Sequence, residues 1–227
     1  MKIKTIITLF ISIMLTCGFS YAQGTLQVTM RDCRVDGDQW HVDPFKLFRN
    51  DSLIMTLDPQ YIRKKTIGDL PFGKYEIQYT TVFERTESIQ IEIHENRDYP
   101  IELCPHYFDH AADSYIPIID QLANRDSYSI EVSMDGCFNS TIETYTIRRK
   151  RNKYYILFKG KEKLLALHEI EAIRHFEIEL NHMESEGCSS IDTYIIKYKK
   201  KEIKITDGSC LWGGDSILKE KLNLSVE

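Results

Sequence analysis

Beyond its first twenty-two residues the sequence has no apolar run long enough to cross a bilayer as a helix, which excludes a polytopic helical membrane protein. It has no low-complexity segment, no heptad register and no repeat at solenoid spacing, so coiled coils and repeat arrays are excluded as well. It also lacks an excess of positive charge. The chain carries 29 basic against 34 acidic residues, and loss of a leader containing Lys2 and Lys4 would leave 27 against 34, a net charge of −7. Proteins that track phosphates present a net basic face, so nucleic acid is not expected as a partner. No catalytic set is legible. A nucleophilic cysteine needs a base within reach, and no histidine stands near Cys137 or Cys210 in the sequence. Asp36-Gly37-Asp38 is too short for a calcium loop. No cofactor and no metal are expected.

What is present begins with a leader. Met1-Lys2-Ile3-Lys4 is a short basic start, Thr5–Phe19 an apolar stretch, and Ser20-Tyr21-Ala22 the small residues of a cleavage site, so residues 1–22 read as a signal peptide and Gln23 as the first mature residue. The expected location is secreted or periplasmic. A retained anchor is one alternative. Another is a lipoprotein acylated at Cys17, which for an exported protein is what would make a membrane a partner. Removal of the leader leaves 205 of 227 residues, room for about two small domains. Five cysteines remain, Cys33, Cys104, Cys137, Cys188 and Cys210, in a compartment where disulfides persist. An odd number leaves one thiol free, paired between chains or bound to something else.

Residues 24–105 read as strands separated by turns. Thr25–Cys33 alternates with Leu26, Val28 and Met30 on one face. Phe45–Phe48 and Leu53–Leu57 flank Asn50-Asp51-Ser52, a hairpin whose turn residues fold back on their own backbone. An irregular connection leads to Leu70-Pro71-Phe72-Gly73, where Pro71 presets φ and Gly73 can take a positive φ. The long strand Lys74–Phe83 follows, and Ser88–His94 and Tyr99–Leu103 complete the set. Six or seven short strands with no helical period predict a two-sheet β-sandwich.

The Phe45–Leu53 hairpin, the Leu70-Pro71-x-Gly73-x-Tyr75 turn and the final strand pair resemble the carboxypeptidase-regulatory-like, prealbumin-type sandwiches over about eighty residues. This chain departs from them in a basic insertion at Gln60–Lys65. The resemblance implies an accessory module of surface and periplasmic proteins that scaffolds, spaces or contacts a ligand rather than catalysing. First and last strands of such sandwiches can run parallel side by side, which would bring Cys33 and Cys104 to the same end for a disulfide. Two separately buried thiols are the alternative.

Pro105–Asn124 carries two prolines, His106, Asp109 and His110 and holds neither period, so residues 106–126 read as a linker, with one helical turn at Pro117–Leu122. On a helix those three residues would share a face able to hold a divalent metal; a solvated polar linker is the plainer reading. Residues 127–227 read as an α+β domain of order βββαββα, helices on an antiparallel sheet: strands Ser127–Met134, Thr141–Arg148 and Lys153–Phe158, helix Leu164–Met183, strands Thr193–Tyr198 and Glu202–Thr206, and helix Ser216–Leu222. His168, His175 and His182 recur every seven residues along the main helix, roughly 10.5 Å apart and too far to share a metal, so they read as solvated.

The last hairpin sets Cys188 near Cys210, which predicts that bridge and an unpaired Cys137, with Cys137–Cys188 as the other pairing. Arg148, Arg149, Lys150 and Arg151, and Lys199, Lys200 and Lys201, form basic hairpin tips where an anionic partner could dock; charged turns that keep hairpin ends solvated are the plainer reading. The functional expectation is a secreted, non-enzymatic binding or structural protein with a protein or glycan partner. The alternatives are a hydrolase with its site near Cys137, Asp207 and Trp212, and a secreted inhibitor or ligand-capture protein that uses the basic tips.

Overall fold

A computed structural model describes residues 23–34, 44–57, 64–135, 140–183, 191–209 and 211–224. Among these, the chain divides into two compact units. One takes in residues 23–30, 44–57, 64–79 and 88–103; the other takes in 31–34, 80–87 and the described residues from Cys104 onward.

Among the described residues seven strands build the first unit: β1 (Gln23–Met30), β2 (Phe45–Arg49), β3 (Ser52–Leu57), β4 (Lys64–Pro71), β5 (Gly73–Thr80), β6 (Thr86–Ile93) and β7 (Asp98–Leu103). They form two sheets, β4-β1-β7 and β3-β2-β5-β6, whose inward residues make one core. Leu26, Val28 and Met30 of β1 are wholly buried, as the period of two requires, against Leu47 and Ile77 of the other sheet. The expected sandwich is therefore what forms. Asn50 and Asp51 both take positive φ, the turn that matches the twist of the β2–β3 hairpin.

The Leu70–Gly73 stretch is a corner between the two sheets, with Phe72 alone separating β4 from β5. Gly73 has φ +153°, and a Cβ there would lie 3.3 Å from the Arg49 Nε. Tyr75 Oη donates to the Pro71 carbonyl at 2.5 Å and Arg49 to the Phe72 carbonyl at 2.9 Å, so the corner's free acceptors are satisfied from within. The connection expected to be irregular up to Thr66 is instead strand from Lys64. β4 lies at a sheet edge and buries Leu70 alone, which left no alternation to read. Residues 60–63 of the insertion lie outside the described residues.

β1 and β7 run parallel with Met30 opposite Leu103, and the Cys33–Cys104 disulfide closes just beyond them at a Cα–Cα distance of 5.7 Å.

The second unit carries a six-stranded antiparallel sheet, β11-β10-β9-β8-β12-β13, formed by β8 (Ser127–Asp135), β9 (Ser140–Lys150), β10 (Lys153–Phe158), β11 (Lys161–Leu164), β12 (Ile191–Tyr198) and β13 (Lys201–Asp207). Among the described residues three helices accompany it: α1 (Ile118–Gln121), α2 (Leu167–Asn181) and α3 (Gly214–Lys221). The strand β11 was not expected. Its four residues are largely exposed, and the turn before it uses positive φ at Lys159 and Gly160. Because the chain is still strand at Leu164, α2 starts three residues later than its apolar stripe suggested. Glu169 then accepts the Ala166 N–H at 2.8 Å, half of a capping box.

The expected linker at 106–126 is corrected: Phe108, Ile118, Ile119 and Leu122 belong to the core of this unit, and His106 is buried with them. Its apolar residues follow no period because the segment is mostly irregular, and irregular buried backbone needs side-chain partners. Glu177 of α2 supplies one, accepting the Ile118 N–H and the Tyr128 hydroxyl from a fully buried position. Burial outweighs those donors and pushes the Glu177 carboxyl up to about 7.

Replacing Cys33 and Cys104 together by serine should lower stability by about 4 kcal/mol through the long loop the bridge closes, read as a shift of the urea midpoint. Glu177 should make stability pH-dependent. Below about pH 4.5 its carboxyl is protonated folded or unfolded; between 4.5 and about 7 only the unfolded chain releases the proton, so stability falls as pH rises and levels off above 7. The total is at most about 3 kcal/mol, and Glu177→Gln should flatten that slope in urea titrations across pH.

Candidate functional site

The sheet register brings together two basic tips that lie some fifty residues apart in the chain. β9 and β10 turn at Arg151-Asn152, both with positive φ, and β12 and β13 turn at Lys199-Lys200. Arg148 stands opposite Ser127 and Tyr198 opposite Tyr128, so both tips leave the same end of the sheet on either side of the start of β8. Three strand spacings separate their centres, about 14 Å. Arg148 and Lys150 both reach Glu162, at 2.8 and 3.6 Å, and Lys199 reaches Asp126 at 3.7 Å. Arg149 is structural, donating to the Leu122 carbonyl at 2.8 Å and to Asn152. Arg125, Arg151, Lys153, Lys200 and Lys201 are exposed and make no ion pair among the described residues.

A second constellation was not anticipated. Near the end of α2, Glu179 is buried and collects three donors. Trp212 Nε1 donates to its Oε2 at 2.7 Å, His110 Nε2 lies 2.9 Å from its Oε1, and Arg34 stands 3.5 Å from its Oε2. Arg34 also clasps Asp32 at 2.8 Å and donates to the Trp212 carbonyl at 2.6 Å. Burial would raise the Asp32 pKa, but the hydrogen bonds and charge of Arg34 together outweigh it and hold the carboxyl below its usual range. The Trp212 ring, wholly buried, stacks on Phe176 with centroids 5.4 Å apart. A Cβ on Gly214 would come within 2.4 Å of that ring, which is why α3 opens on glycine.

The histidines divide. His168 is exposed, as expected. His175 is half-buried, stacked face to face on His110 at 3.8 Å and 3.4 Å from Glu171; burial first, then His110, pushes its pKa down. His182 is also half-buried and packs between Asp113, at 2.7 Å, and Arg85, at 3.3 Å. The expectation of three solvated rings is corrected for these two. His106 lies 2.8 Å from the Leu211 carbonyl, and desolvation lowers its pKa. The 106–110 stretch is not helical, and His106, Asp109 and His110 form no three-ligand group among the described residues. The set that does converge, Cys33, Glu102 and Cys104, has both sulfurs spent in the disulfide.

Cys137, Cys188 and Cys210 lie outside the described residues, and with them the second predicted bridge and the unpaired thiol. Asp207 is buried and accepts the Ser209 N–H at 2.8 Å; Trp212 belongs to the Glu179 cluster. One signal could have found that cluster. Glu177 and Glu179 stand four and three residues beyond Ile173 and Phe176 of the apolar stripe, so the helix must bury acids and the fold must supply donors for them.

A cavity of about 540 Å³ adjoins this cluster, between α2 and α3, with Arg34 and His110 also in its lining.

No known protein family matches the sequence, and no curated protein does. Among solved structures, the 5-hydroxyisourate hydrolase of Klebsiella pneumoniae is similar over 36% of this chain and 90% of its own, at 21% identity and TM-score 0.27. The TIE protein of Bacillus anthracis is similar over 82% of this chain at 10% identity and TM-score 0.33, and a streptococcal ancillary pilin over 82% at 10% and 0.25. The similar region spans 31% of the TIE protein chain and 59% of the pilin.

Trp212→Phe keeps the ring stack but removes one donor from a buried carboxylate, and it should cost about 1–3 kcal/mol in urea unfolding. A loss below about 0.5 kcal/mol would show that Glu179 does not need the indole.

Proposed function

We propose that this chain is an exported, non-enzymatic binding protein, with its first unit a prealbumin-type accessory sandwich and its second unit carrying the contact surface. The surface is the basic end of the six-stranded sheet, and the partner is a protein or glycan that presents carboxylates or sulfates. One observation carries the reading: two cationic tips distant in sequence share one end of one sheet, and five of the cations there make no ion pair among the described residues. Uncompensated charge held at one edge of a chain with net charge −5 favours an acidic partner at that edge and steers its approach.

The non-enzymatic part rests on Glu179. Its oxygens are taken by an indole, an imidazole and a guanidinium, so it serves as a clamp and not as a proton acceptor for a substrate. The disulfide fits a compartment outside the cytoplasm, and no described helix is long and apolar enough to cross a membrane.

The test is a pair of charge reversals with equal change in net charge. Arg151→Glu/Lys200→Glu should weaken binding to immobilised heparin and to polyglutamate at least tenfold and flatten its salt dependence. Lys46→Glu/Lys74→Glu, in the first unit, should leave both nearly unchanged. Equal effects from the two pairs would mean that net charge, and not this surface, governs binding.

A further inference from the structure

The cavity between α2 and α3 has a definite chemical character. One face of α2 lines it with His168, Ala172, His175, Phe176 and Glu179, residues spaced three, four, seven and eight apart so that their side chains rise from one stripe. Across from them α3 presents Ile217, Leu218 and Lys221. The floor is apolar: Phe176 and Leu218 are buried, and Ala172 and Ile217 half-buried.

The two acids in its wall are matched already. Glu179 is held by Trp212, His110 and Arg34, and Glu171 lies 2.6 Å from Arg174 and 3.4 Å from His175. On the other side of the ledger, Lys221 and His168 face the cavity from the ends of their helices, and among the described residues neither makes a hydrogen bond or an ion pair. The volume falls within the range of small-ligand sites, about 300–1,000 Å³. An apolar floor, neutralised acids and an unmatched ammonium at the rim select for one charge type.

We propose that this cavity binds a small organic anion with an apolar body, a carboxylate of the fatty-acid type. The head lies at Lys221 with the His168 imidazole beside it, and the hydrocarbon runs inward over Ile217, Leu218 and Phe176. This site is separate from the basic end of the sheet and does not depend on it. Ligands whose head is cationic meet Lys221 unfavourably, and ligands without a charge forgo the head contact.

The experiment is calorimetric titration of the full chain with decanoate, decan-1-ol and decyltrimethylammonium. Decanoate should bind one to one, and the decyltrimethylammonium cation at least tenfold more weakly. Ala172→Phe, which fills the cavity from a half-buried position, should abolish decanoate binding. Lys221→Glu, an exposed change that leaves folding intact, should weaken decanoate at least tenfold and bring the cation level with it or ahead. Failure of folded wild-type protein to bind decanoate, equal affinity for all three heads, or unchanged decanoate binding in Lys221→Glu would each overturn the proposal.

Discussion

The second unit depends on a carboxylate that cannot be left alone. Glu179 sits on the buried side of α2, and an ion taken out of water must find its own donors or destabilise the fold by several kcal/mol. It finds them in three places: the 32–34 segment through Arg34, the irregular 106–110 segment through His110, and the approach to α3 through Trp212. None of these segments has a regular element to hold it. Their convergence on one acid sets where α3 begins, where Trp212 stacks and where the inner wall of the cavity stands.

Glu177, two residues earlier, plays the same part for another irregular piece. It meets the N–H at the start of α1 and the Tyr128 hydroxyl of β8, tying a four-residue helix to the sheet. The two acids differ in their donors. Glu179 has a guanidinium beside it, whereas Glu177 has neutral donors alone, and burial therefore raises its pKa. A helix that read as an apolar stripe on a sheet is also the organiser of the polar backbone around it.

Sheet register sorts charge as well as side-chain faces. The end of the sheet bearing the β9–β10 and β12–β13 turns collects arginines and lysines. At the other end Asp192 stands opposite Asp207, and Ile191 opposite Asp135. Burial there, reinforced by Asp207 and Asp215, raises the Asp192 pKa. Lys219 answers part of that charge by reaching both Asp215 and Glu143. An antiparallel sheet makes this arrangement natural, since alternate turns fall at opposite ends and each end gathers the residues of its own turns.

Strands with one buried face were legible along the chain, because a period of two in Leu26-x-Val28-x-Met30 or Tyr128-x-Ile130-x-Val132 depends on nothing beyond the neighbouring residues. The Asn50-Asp51 turn and the main helix followed from equally local features, whereas the pairing of Cys33 with Cys104 was expected only through the resemblance to sandwiches whose first and last strands run parallel. The strands β4 and β11 were not legible, since β4 buries Leu70 alone and β11 buries none of its four residues. The Glu179 cluster and the common end of the basic tips were not either: each joins residues tens of positions apart, and only strand order, register and the need to satisfy buried charge decide which distant residues meet. Local periodicity thus determined the elements, and long-range polar satisfaction decided the sites.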